Sequence, residues 1–161
     1  MDLKELEFYE NWIGLEKEVV LKFGNMNQSQ IELEFDKTKY FFGLSHKKIQ
    51  ISTDTSNKIS LVSLVFAPLL NKQTFNAFVE YYGSPNLFKE DTLISKSDSK
   101  IETKTELGFH QNLSKKEFST KLVKFEENPT WIVWQKKNYE LIIRQDYNYN
   151  AVHVIFKNRN F

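Results

Sequence analysis

Hydrophobic residues recur along this chain with two spacings, and the spacing switches several times. In "QIELEFD" (residues 30–36) Ile31, Leu33 and Phe35 alternate with Glu32 and Glu34, the period of a strand with one buried face. "KYFFGL" and "KKIQIST" predict two more strands, with Gly43-Leu44-Ser45-His46 at their connection. "STDTSNK" predicts a turn, because its side chains can bond their own backbone. "KISLVSLVFA" is apolar at both parities. Leu61 and Val65 share one face, and Val62, Leu64 and Phe66 the other, which predicts a central strand. Three strands end the chain: "TWIVWQ", "YELIIRQDY" and "AVHVIFK", with turns at "KKN" and "NYN".

The helical spacing occurs in four places. Residues 2–13 predict a short helix capped by Asp2, with Leu3, Leu6 and Ile13 on one face. "GLEKEVVLKFGN" predicts a second, with Val19, Val20 and Phe23 inward and Gly24 ending it in the left-handed conformation. "NKQTFNAFVEYYGSP" carries the strongest pattern: Asn71 caps, Phe75, Phe78, Val79 and Tyr82 fall at i, i+3, i+4 and i+7, and Gly83 and Pro85 stop it. "LSKKEFSTKLVKFEENP" predicts the last helix, with Ser114 and Glu117 as a capping box and Phe118, Leu122 and Phe125 as its stripe. The polar stretch 86–107 predicts two edge strands, "DTLI" and "KIETKTEL", around a mobile loop at 95–100, "SKSDSK".

Together these elements predict one α+β domain over residues 1–161: an antiparallel sheet of helix-plus-strands units with short amphipathic helices packed on it. The order strand, helix, "GSP" or "NP", strands recurs in residues 58–85 and 114–156. That order resembles the tandem helix-then-hairpin folds of beta-lactamase inhibitory protein and the small outer-membrane assembly lipoproteins. The resemblance implies a scaffold that presents a sheet face to another protein. It carries no functional residue across. With no Cys among these residues, neither those lipoproteins' lipid anchor nor that inhibitor's disulfides is expected here.

Composition narrows the function. Among 161 residues, 15% are aromatic, enough to drive burial despite a mean hydropathy of -0.51. The formal net charge of +1 gives no general pull toward nucleic acid or anionic membrane. Arg144 and Arg159 are the only Arg, and bidentate phosphate or base recognition leans on Arg, so no nucleic-acid partner is expected. Cys is absent, which removes thiolate catalysis and Cys-based metal sites and fits a cytoplasmic location. The charged start "MDLKELEFYE" is no signal peptide, and no apolar run is long enough to span a membrane.

No motif fixes a reaction. His46, His110 and His153 are scattered, the five Gly are too far apart for a phosphate cradle, and "GxSxG" is missing. Neither cofactor nor metal is expected. In "YELIIRQDY", period two puts Glu140, Ile142, Arg144 and Asp146 opposite Tyr139, Leu141, Ile143 and Tyr147, the natural core side. Glu140 and Asp146 with His153 across the hairpin would be the materials of an acid–base site, although charge pairing on a solvated strand face is the commoner use of such residues. In "TWIVWQ", Trp131 and Trp134 have opposite parity, so one Trp is left off the core face.

The expected function is therefore a small soluble protein-binding module, an immunity or inhibitor protein that blocks a partner toxin or enzyme rather than an enzyme itself. Its expected partner-binding residues are Trp131, Trp134, Arg144, Tyr147 and Tyr149, the residue types enriched in binding hot spots. The alternatives are an enzyme acting near Glu140, Asp146 and His153, and a structural or assembly subunit.

Overall fold

A computed structural model describes residues 8–27, 32–101 and 111–159. Its frame is one antiparallel sheet of nine strands: β1 (Asn25–Met26), β2 (Glu32–Phe41), β3 (Leu44–Thr53), β4 (Ile59–Phe66), β5 (Leu87–Ile101), β6 (Gln111–Leu122), β7 (Trp131–Gln135), β8 (Tyr139–Asp146) and β9 (Ala151–Asn158). Their spatial order is β1-β2-β3-β4-β9-β8-β7-β5-β6. Two α-helices, α1 (Lys17–Leu21) and α2 (Lys72–Tyr82), and two 3₁₀ turns (Tyr9–Trp12 and Phe125–Glu127) accompany it. The fold is thus mostly antiparallel sheet with few helices.

Helix α2 forms where the pattern places it. The Asn71 side chain accepts the Thr74 amide at 2.8 Å, and Gly83 ends the helix with φ 77°. Phe75, Phe78 and Tyr82 are buried against the sheet. One parity of the strands supplies the rest of the core: Leu33, Phe35, Val62, Leu64, Phe66, Ile132, Trp134, Leu141, Ile143, Val154 and Phe156, all buried. Burying a side chain such as Phe78 contributes about 1.5–3 kcal/mol. The helix carries the chain from β4 to β5, and the later strands β7, β8 and β9 fill the space between. β4 lies inside the sheet, between β3 and β9, as its two-sided pattern predicts, but it buries only one face: Val62, Leu64 and Phe66 are buried while Val65 is exposed.

Several elements differ from the pattern. The described part of "QIELEFD", from Glu32, and "KYF" belong to one strand, β2, interrupted by an irregularity between Glu34 and Lys39. The turn into β3 is Phe42-Gly43, both with positive φ (49° and 79°). That backbone costs Phe42 about 1–3 kcal/mol, offset by its stack on Phe78 at 4.4 Å between ring centroids.

The predicted helix at 113–129 is instead strand β6 as far as Leu122 and a 3₁₀ turn at Phe125–Glu127, and the predicted loop at 95–100 lies inside β5. The two strands pair from Lys89↔Leu122 to Ile101↔Gln111. Positions 118 and 122 share a face at strand spacing as well as at helical spacing, so a long ladder of backbone hydrogen bonds overrides a weak helical preference. Of the two units 58–85 and 114–156, only the first contains an α-helix among the described residues. The predicted helix at 2–13 is described only from residue 8, where a 3₁₀ turn forms. The second edge strand, 100–107, lies mostly outside the described residues.

Gly24 ends no helix in the left-handed region. It lies beside β2, where a Cβ would run into the Glu34 carbonyl oxygen. Gly24→Ala is therefore expected to destabilise the fold by about 1–3 kcal/mol, read as a lower urea midpoint with an unchanged slope.

The 3₁₀ turn Tyr9–Trp12 closes the covered face with two buried polar contacts. The Tyr9 hydroxyl meets His46 Nε2 at 2.5 Å, and the Tyr82 hydroxyl donates to Glu10 Oε1 at 3.0 Å. Among the described residues Glu10 Oε2 and His46 Nδ1 have no hydrogen-bond partner. Burial raises the Glu10 pKa and lowers that of His46, so both groups are held toward their neutral forms.

Candidate binding face

The other parity of the strands forms a second face, and among the described residues no helix packs on it. The register lines its residues up in rows across the strands. Leu87↔Val133, Val133↔Ile142 and Ile142↔Ile155 make a four-residue apolar row, which continues through Ser63, Gln50 and Glu32. On one side runs the row Leu122, Lys89, Trp131, Arg144, His153 and Val65. On the other runs Gln135, Glu140, Lys157 and Leu61. A shallow groove of about 410 Å³ has Leu87, Val133 and Ile142 among its lining residues. A second, of about 390 Å³, lies over β2 to β4, where Lys48 pairs with Glu32 at 3.0 Å and Glu34 at 3.5 Å.

Trp131 is the most constrained side chain on this face. Its Nε1 donates to one Asp91 carboxylate oxygen, while the other accepts the Thr120 hydroxyl at 2.8 Å. The Arg144 guanidinium lies over its ring, 5.3 Å from the centroid. An edge held by a carboxylate and a face held by a cation fix the indole without covering it. Strand parity places Asp91 and Lys89 beside Trp131 through β5, although both lie in a polar stretch that the hydrophobic pattern does not single out.

The expected partner-binding residues separate into three places. Trp131 and Arg144 come together on the open face. Trp134 does not join them: it is fully buried, packs 6.2 Å from Phe78 and donates its Nε1 to the Gly83 carbonyl at 2.7 Å. This corrects its place among surface anchors, because strand parity turns it toward α2. Tyr147 and Tyr149 stand at the β8–β9 turn. The Tyr147 hydroxyl donates to the Pro129 carbonyl at 3.0 Å and accepts from Gln145 Nε2 at 2.9 Å, and burial raises its pKa. Tyr149 is 82% exposed.

The acid–base candidates share the open face but not a position on it. Glu140 lies opposite Lys157, His153 opposite Arg144, and Asp146 opposite Ala151. At about 3.3 Å per residue, Glu140 and Asp146 are about 20 Å apart along β8. Asp146 accepts the backbone amides of Asn148 and Tyr149 at 3.2 and 3.3 Å, an arrangement that shapes the turn. Of the three His, His46 is buried among Tyr9, Phe35 and Phe66, and His110 lies outside the described residues. Among the described residues no group of three His, Asp or Glu is placed to hold a metal ion, and no helix is long and apolar enough to cross a membrane.

Comparison with known proteins finds no match: no family model, no curated protein and no solved structure resembles the chain.

Proposed function

We propose that this chain is a small protein-binding module that occupies and blocks a partner protein, as an immunity or inhibitor protein does. The observation that supports this reading is Trp131, pinned by Asp91 and Arg144 on a sheet face that no described helix covers. A pre-positioned Trp loses little side-chain freedom on binding, and Trp and Arg are both residue types enriched in hot spots. The charged residues around it, Lys89, Glu140 and Lys157, set orientation and encounter rate rather than affinity.

The test is co-expression with neighbouring gene products of the native host, followed by capture on the tagged full chain. A retained partner is expected to be lost when Trp131 is replaced by Ala, with affinity falling by at least about 30-fold, the equivalent of about 2 kcal/mol. Failure to retain any partner with the fold intact, or retention insensitive to Trp131→Ala, would count against the reading.

A further inference from the structure

We infer that the ligand of the open face is an amphipathic helix of the partner protein, lying across the strands with acidic side chains along one flank. This inference rests on the protein-binding reading above and names the chemistry of its partner.

The apolar row has the length and step of a helix face. Leu87, Val133, Ile142 and Ile155 sit on four adjacent strands, β5, β7, β8 and β9. Neighbouring strands are about 4.8 Å apart, so the row steps by that distance and spans about 14 Å. Apolar residues at i, i+3 or i+4, i+7 and i+11 of a helix step by about 5 Å and span about 16 Å. An added strand would use backbone groups at a sheet edge, whereas this row offers side chains alone: the half-buried Leu87, Ile142 and Ile155, with Val133 buried among them.

The charges on the two sides of the row are unequal. On one side stand Lys89 and Arg144, separated by Trp131. Among the described residues neither forms an ion pair, and the Asp91 carboxylate on their flank is held by the neutral donors of Trp131 and Thr120. The two cations are two strand steps apart, about 10 Å. Acidic residues at i and i+7 along a helix are about 10.5 Å apart. On the other side Glu140 lies directly opposite Lys157, so that flank balances itself and asks for no particular charge. The face therefore selects both a helix and its direction of roll: apolar side down, acidic side toward Lys89 and Arg144.

The test uses the full chain and two labelled helical peptides of about 16 residues. Both carry the same Leu stripe; one has Glu and the other Lys at i and i+7 along one flank. By fluorescence anisotropy the Glu peptide is expected to bind at least about tenfold more tightly than the Lys peptide. The preference is expected to reverse in the double variant K89E/R144E, and Ile142→Asp is expected to abolish both. Equal binding of the two peptides, binding of neither, or an unchanged preference after the charge exchange overturns the inference. So does a self-associated chain that Ile142→Asp converts to monomer, since a second copy would then own the face. The wild-type peptide comparison decides the matter even if a variant fails to fold. Where the peptides fail but capture of a host protein still depends on Trp131, only the helix inference falls; where both are lost, the broader reading falls with it.

Discussion

Trp134→Ala is expected to cost about 3–5 kcal/mol of folding stability, while Trp131→Ala, three residues earlier, costs about 1 kcal/mol or less. Trp134 is fully buried between Phe75 and Phe78, and its indole nitrogen satisfies the Gly83 carbonyl at the end of α2. Truncation would empty a large volume and strip a hydrogen bond from the helix terminus. Typical domains are stable by only about 5–15 kcal/mol, so this one change approaches unfolding. Trp131 has solvent on one side and loses mainly its contacts with Asp91 and Arg144. Urea denaturation followed by far-UV circular dichroism reads both variants without relying on indole fluorescence. If Trp131→Ala proved the more damaging, the assignment of the two faces would be wrong.

The second large effect is expected at alkaline pH. Burial raises the pKa of Tyr9 and of Tyr82 well above 10, and for Tyr82 the neighbouring Glu10 carboxylate adds to it. Both hydroxyls are neutral in the folded chain, whereas in the unfolded chain they ionise near pH 10. A group with a raised folded pKa contributes stability in full below its unfolded value and loses it as pH climbs beyond. Two such tyrosines cost about 2.7 kcal/mol for each pH unit above 10, or roughly 5 kcal/mol by pH 12. The chain is expected to unfold cooperatively between about pH 11 and 12, with the last rise in tyrosinate absorbance coinciding with loss of the far-UV signal. Complete ionisation of every tyrosine in a chain that keeps its native spectrum would refute this.

Much of the covered face can be read from spacing alone. The stripe Phe75, Phe78, Tyr82 and the alternation at Leu33 and Phe35 lead directly to α2 and β2. The same holds for β4 and for the three closing strands, whose parity separates Leu141 and Ile143 from Ile142 and Arg144. Two kinds of information are not local. Residues 113–122 satisfy both periods, and only the presence of β5 as a partner settles them as strand. Trp131 and Trp134 each have apolar neighbours, Ile132 and Val133 between them, so the pattern supplies parity but not the identity of the core side. The apolar row was legible in part: β7, β8 and β9 all carry apolar residues at both parities, the same signal that marks β4 as central. Its continuity across four strands depends on register, which no single segment contains.

The sheet order has a consequence for how the chain comes into being. Strand β9, made after the other eight strands, lies between β4 and β8 at the centre of the sheet. Until it arrives, β1 to β4 end in an apolar strand with one bare edge, and the strands made after α2 have nothing to join them to it. Such edges are templates for pairing with other chains, and pairing between segments so distant in sequence is slow. The molecule is therefore most exposed to self-association while still incomplete, and a break in translation shortly before residue 151 leaves two half-sheets rather than a shortened protein.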